Sequence, residues 1–366
     1  MFVETREFHR NTSGTPSANR MRRLQLLLLL LGVGLFVFVV QKAGLARILH
    51  GLRSVGWWFV AVLALELLID ALHSEAWRWC MPGGVHRVSR FDALLARTAG
   101  VAVNVLTPSA TVGGEVVKGM LVRRWIPLAD GFASVMVDKL TFALGQTIFL
   151  SIGMLAVLTG LSLDVEEELL ALGVLALWIA AVVAFIALQR AGILRVGLGV
   201  VRTIFGGSAL LERLPGHAVA FDAKVATLLR ARRRELGVSV ALHLLAQFAR
   251  VPQYYIVMSA LGLRPTVATS VTTAAGLVFM EATMFLIPAK LGVFEGGNAL
   301  IFSRLGYGVT DGIVVSFTLR LSELASALLG LAALAYLHFR SQERAARFGI
   351  QDSAKEPSRS VPKPEV

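Results

Sequence analysis

The chain is organised as long apolar runs separated by short polar stretches. Residues 24–40, 57–79, 131–159, 169–188, 237–261 and 312–337 are six such runs, most of them about 20 residues or longer, the length a helix needs to cross hydrocarbon. Two further stretches, 91–124 and 266–305, are apolar but interrupted near the middle. The interruptions read Leu106-Thr-Pro-Ser-Ala-Thr-Val-Gly-Gly-Glu115 and Ile287-Pro-Ala-Lys-Leu-Gly-Val-Phe-Glu295. Pro108 with Gly113 and Gly114, and Pro288 with Gly292, are the expected helix breaks. Backbone groups freed by a break inside lipid need protein or water around them, so these stretches are expected to form re-entrant hairpins. The pattern predicts an all-α polytopic membrane protein with about six full spans and two such hairpins.

Charge decides the orientation. If neither broken stretch crosses, one face collects the basic N-terminus, Arg87, Arg90, Arg123, Arg124, the 190–235 connector and the tail with Arg340, Arg344 and Arg347. The opposite face receives the acidic loop Asp164, Glu166, Glu167 and Glu168. Only the loop with Lys42, Arg47 and Arg53 runs against this bias. The positive-inside rule then puts both termini in the cytoplasm. Arginines before the first run could mark a cleaved signal peptide, but further spans follow and no convincing cleavage site precedes Lys42, so 24–40 is read as an uncleaved span.

Composition agrees: 55% of the 366 residues are apolar, only 16% are charged, and the mean hydropathy is +0.68. That much apolar surface exceeds what a soluble fold of this size can hide. The net charge of +12 could suggest nucleic acid. Its clustering between apolar runs fits a membrane protein instead, and no nucleic-acid partner is expected. Cys80 is the single cysteine, which excludes an intramolecular disulfide and a cysteine-rich zinc site.

The two broken stretches match each other. Pro108 and Glu115 recur 180 positions later as Pro288 and Glu295, and Asp130-Gly131 and Lys139-Leu140 recur 181 positions later as Asp311-Gly312 and Arg320-Leu321. In the six-span arrangement the hairpins enter from opposite sides, which makes an inverted-topology repeat with halves centred on 91–159 and 266–338. Secondary transporters use this architecture, with half-helices meeting near the midplane. The half-helix after each break is expected to offer backbone N–H groups and its positive dipole end to the interior.

Thr107-Pro108-Ser-Ala-Thr-Val-Gly113-Gly114-Glu115-Val-Val-Lys118, paired with Pro288-Ala-Lys-Leu-Gly292-Val-Phe-Glu295-Gly296, resembles the signature of the lysylphosphatidylglycerol synthase transmembrane family, flippase-like integral membrane proteins. The resemblance implies a lipid-translocating module of the bacterial cytoplasmic (inner) membrane. In well-known members a soluble domain that aminoacylates phosphatidylglycerol follows; here about thirty residues follow the last span, so that activity is not carried over. The expected organisation is a basic tail (1–23), a flippase-like domain (24–338) and a disordered cytoplasmic tail (339–366).

Charges inside the spans are the candidate chemistry, because an unpaired one costs roughly 2.5–3.5 kcal/mol on insertion scales. Glu66, Asp70 and His73 share one face of the second run, with Arg78 beyond. Asp138 and Lys139 lie early in the third run, His243, Gln247 and Arg250 share a face of the fifth, and Arg320 and Glu323 lie in the last. The plain alternative is mutual pairing that only holds helices together. The functional reading takes Glu115, Lys118, Asp138, Lys139, Glu295, Arg320 and Glu323 as a lipid-binding set. Its cations would hold phosphate, and Glu115 and Glu295 a cationic substituent or a coupling proton. His73 and His243 lack recognisable metal-ligand spacing, no nucleophile motif such as Gly-x-Ser-x-Gly is present, and no cofactor is expected. A rival class is an intramembrane lipid-modifying enzyme; a third is a membrane partner of a lipid- or glycan-building enzyme. A homo-oligomer is also open. The connector 190–236, with Ile193, Val196, Leu198, Val201 and Ile204 at helical spacing, is expected to lie on the anionic lipid of the cytoplasmic leaflet.

Overall fold

The computed structural model describes residues 41, 45–83, 87–106, 112–160, 164–192, 215–283 and 292–347. The described residues are helical, with turns between and no strand. In chain order the helices are α1 (Leu45–Val55), α2 (Trp58–Cys80), α3 (Arg90–Leu106), α4 (Val112–Leu121), α5 (Leu128–Gly160), α6 (Val165–Ala191), α7 (Pro215–Ala231), α8 (Arg233–Phe248), α9 (Arg250–Ala260), α10 (Val267–Thr283), α11 (Val293–Arg304) and α12 (Val309–Arg347). The expected first span 24–40, the N-terminal tail, residues 348–366, the connector residues 193–214 and the breaks at Pro108 and Pro288 lie outside the described residues; residues 339–347, expected to be disordered, are instead the helical end of α12.

Three described helices are long and apolar enough to cross a membrane alone: residues 128–158 in α5, 168–189 in α6 and 309–333 in α12. Helix α6 is apolar on all sides and mostly exposed, with Leu169, Leu170, Leu177 and Val183 facing outward, as expected for a helix bathed in lipid. The protein is therefore embedded in a membrane.

Two elements differ from the sequence reading. The stretch around Arg47 and Arg53, read as a loop, is the helix α1, and it meets α2 at an 80° bend. Gly56 turns the chain there with φ of 46°, a left-handed value that favours glycine. The single run expected over 237–261 is two helices, α8 and α9, meeting at Ala249. Pro252 explains the break. It has no N–H for the Phe248 carbonyl, so it ends one ladder of hydrogen bonds and is tolerated in the first turn of the next.

The two matched stretches pack in similar ways. Helices α3 and α4 form an antiparallel pair, followed by the long α5; α10 and α11 form a second pair, followed by the long α12. Each long helix also packs on the first helix of the other unit: α5 on α10, and α12 on α3. Glycines permit both crossings. A Cβ on Gly153 of α5 would stand 2.1 Å from Ala275 Cβ in α10, and one on Gly330 of α12 would stand 2.1 Å from the Thr98 carbonyl in α3. Small residues at crossings are how helices approach closely in lipid, where there is no hydrophobic drive between them. Helices α2 and α8 pack against each other, and both touch α5.

Candidate functional site

Helix α4 begins at the end of the first break, and its first turn carries Gly113, Gly114 and Glu115. A Cβ on Gly114 would lie 2.1 Å from the Gly100 carbonyl oxygen, so this glycine lets the backbones of α3 and α4 touch. The contact is locked by Asn104, whose Oδ1 accepts the Gly114 N–H at 2.7 Å.

From there an unbroken line of polar contacts runs into the protein. Lys139 Nζ, on α5 and 38% exposed, lies 2.5 Å from Glu115 Oε1. The other oxygen of Glu115 lies 3.1 Å from Lys118 Nζ, which donates to Asp138 Oδ2 at 2.9 Å. Asp138 Oδ1 is 3.1 Å from His243 Nε2 on α8, and His243 Nδ1 is 2.7 Å from His73 Nδ1 on α2. Lys118, Asp138, His243 and His73 are all buried. Lys118 also sits over Trp77, its Nζ 4.7 Å from the ring centroid, where the face of the indole favours a cation. Two carboxylates balance two ammonium groups, so the cluster is neutral as a whole.

The second unit is simpler. Gly292 precedes α11 with φ of 77°. Glu295, fully buried, accepts the Gly292 N–H at 2.8 Å and pairs through its other oxygen with Arg320 Nε at 2.9 Å. The Arg320 guanidinium lies over Phe294, 5.3 Å from the ring centroid, and its side chain is 17% exposed. Asn298 occupies the position matching Lys118 and donates to Ser316 Oγ at 2.8 Å. Gly312 lies beside it, since a Cβ there would meet the Asn298 carbonyl at 2.5 Å.

Of the residues singled out in the sequence, Glu115, Lys118, Asp138 and Lys139 form one cluster, and Glu295 and Arg320 a second. Glu323 lies one turn beyond Arg320 and is half-buried. Lys118 is enclosed by Glu115, Asp138 and Trp77, so Lys139 and Arg320 are the cations with exposed surface. The N–H groups of Gly114 and Gly292 at the two half-helix starts, expected to be open, have internal acceptors in Asn104 and Glu295. Other described intramembrane charges also have partners. Asp70 accepts from Ser326 at 2.6 Å with Arg97 at 3.6 Å, Gln253 donates to Glu66 at 3.0 Å, and Arg78 pairs with Glu75 at 2.5 Å.

Sequence reasoning missed Asn104, Asn298 and the pairing of the two histidines. The asparagines carried a faint signal, as amides inside apolar helices, but their partners depend on how the hairpins close. Among the described residues no set of three or more His, Cys, Asp or Glu could hold a metal ion.

The family profile described as lysylphosphatidylglycerol synthase TM region matches residues 25–348, in agreement with the resemblance carried by the paired motifs. The chain is also 23% identical over 316 residues to a UPF0104 membrane protein of Pyrococcus horikoshii, an alignment covering 80% of this chain and 90% of that protein. No solved structure matches.

Proposed function

The chain belongs to the lysylphosphatidylglycerol synthase transmembrane family, and from that premise we propose that it moves a membrane lipid with a phosphate-bearing head group between leaflets. The observation that carries the reading is the duplicated pair, Glu115 with Lys139 and Glu295 with Arg320. In each unit a glutamate from the first turn of a short helix meets a cation on the following long helix. Buried ion pairs contribute little net stability, and apolar residues of similar size would often do as well. Two equivalent pairs, each with a partly exposed cation, fit a site where a phosphate displaces the carboxylate.

Arg320 can hold phosphate through two parallel N–H donors, and Lys139 as a point charge. Lys118 then holds Glu115 when Lys139 lets it go, and Gly292 N–H does so for Glu295. The alternation of sides comes from the inverted arrangement. Helices α4 and α11, with 10 and 12 residues, are only about 15–18 Å long. Neither can cross a hydrocarbon core of about 30 Å. This length supports re-entry of both hairpins, and the reciprocal packing of the long helices supports a two-fold relation between the halves. Rocking of one half against the other would expose each ion pair in turn.

The test is movement of fluorescent phosphatidylglycerol in vesicles reconstituted with the protein, read by quenching of the outer leaflet. Lys139→Ala and Arg320→Ala should each lose movement while the purified proteins remain folded. Unchanged movement in both folded variants would remove the proposal. Release of a chemically altered lipid from detergent solution would favour the lipid-modifying enzyme instead.

A further inference from the structure

Helices α5, α6, α7 and α8 line a cavity of about 770 Å³ whose walls include no residue of either ion pair. Its walls are Leu140 and Leu144 of α5, Ile186 of α6, Ala226 and Leu229 of α7 and Leu236 of α8; its charged members are Arg230 and Arg233. The size falls within the roughly 300–1,000 Å³ usual for sites that enclose small ligands.

We infer that this cavity binds one anionic phospholipid, with hydrocarbon against the leucine and isoleucine walls and phosphate between Arg230 and Arg233. Three observations carry this. First, the two arginines have different work from their neighbour. Arg232 donates to the Met81 carbonyl and faces Glu235 at 3.5 Å, which fixes the turn from α7 to α8. Arg230 and Arg233 are exposed at the cavity, and among the described residues neither has a carboxylate within 4.0 Å. Two guanidinium groups at one apolar cavity call for an anion with a hydrophobic body.

Second, the depth is right. Gln189, at the end of the apolar part of α6, donates to the Met136 carbonyl of α5 at 3.3 Å. Ile186 and Leu140 each lie one turn from this contact, toward the interior of the bilayer. The apolar walls therefore sit on the hydrocarbon side and the arginines where hydrocarbon ends. Third, access is lateral, because α6 is the exposed, lipid-facing helix of the wall. Lys224 holds α7 to α5 through Asp130, so the cavity is kept between anchored helices.

The site uses none of the residues assigned to translocation, so the two readings fail separately. The experiment is native mass spectrometry of the full chain titrated with phosphatidylglycerol or phosphatidylcholine. The wild type should retain one phosphatidylglycerol per chain and bind phosphatidylcholine at least tenfold more weakly. Arg230→Gln/Arg233→Gln should lower phosphatidylglycerol binding about tenfold or more. Ala226→Trp, which fills the cavity, should do the same; Leu144→Phe serves if that variant is not recovered folded. Equal binding of the two lipids, or full binding by the double arginine variant, would overturn the site. Full binding by the cavity-filling variant would mean a surface attraction to head groups and would overturn it too.

Discussion

His73 and His243 face each other through their Nδ1 atoms at 2.7 Å, although 170 residues separate them in the chain. Only one of the two nitrogens can carry the hydrogen between them. His243 Nε2 faces Asp138, a carboxylate held against Lys118, so its hydrogen belongs there. His243 Nδ1 is then the acceptor, and His73 Nδ1 the donor. Nitrogen NMR of histidine-labelled protein should show the Nδ1–H form for His73 and the Nε2–H form for His243. The opposite pair of tautomers would contradict the contact with Asp138. His243→Phe leaves both Asp138 and His73 short of a partner, each loss worth about 1–3 kcal/mol. It should therefore melt lower than His73→Phe, which strands only one group.

Glu295 serves two partners, and a double-variant comparison separates them. Removing Arg320 alone leaves a fully buried carboxylate unpaired, at about 3–5 kcal/mol. Glu295→Ala takes the carboxylate from beside Arg320 and also removes the acceptor of the Gly292 N–H. In Glu295→Ala/Arg320→Ala the charge penalty vanishes but the lost cap remains, worth about 0.5–2 kcal/mol. The double variant should melt above both singles and below the wild type. A double variant no better than its worse parent would mean that the ion pair is not what makes the singles unstable.

Gly114 is predicted to tolerate no side chain. Alanine there would drive a Cβ into the Gly100 carbonyl and the Asn104 amide, and the legs of the hairpin would have to part. The cost should be in the 1–3 kcal/mol range of overpacking or above it. Gly173 on α6 is the control, because a Cβ there meets nothing within 4 Å. Gly173→Ala should be neutral, or stabilise slightly through the better helix propensity of alanine. Equal melting temperatures for the two variants would refute the close approach of α3 and α4.

The legibility of this protein divides along a physical line. Apolar runs of bilayer length announce themselves, and α2, α5, α6 and α12 lie where the hydropathy put them. The recurring Pro, Glu, Asp-Gly and basic positions stood out, because a helix break and an intramembrane charge are both too costly to pass unnoticed. Contacts across helices carried no such signal. Nothing in the spacing of His73 or His243 says that α2 and α8 turn these faces toward each other. The burial of Lys118, against the exposure of Lys139, follows from Trp77 and Asp138 closing over it from other helices. The split at Ala249 was legible in principle: Pro252 stood inside the run, and the hydropathy masked it.

The orientation of the protein in the membrane rests on its charge distribution alone, and single thiols can test it. Cys80 is the single thiol; it is buried and lies 3.3 Å from Ser239 Oγ and 3.6 Å from Thr141 Oγ1. Cys80→Ser keeps a small group able to hydrogen-bond both hydroxyls, so it should give a folded, thiol-free background. Two exposed positions on opposite sides of α6 then report the sides of the membrane. Glu166 lies in the first turn of α6, inside the acidic loop, and Thr227 lies on α7, next to the arginine run. If basic segments stay on the cytoplasmic side, a membrane-impermeant thiol reagent added to intact cells should label Glu166→Cys and spare Thr227→Cys. Cytoplasm-side-out vesicles should reverse the pattern. Labelling of both from the same side would mean that α6 does not cross, and the inverted relation between the two units would go with it.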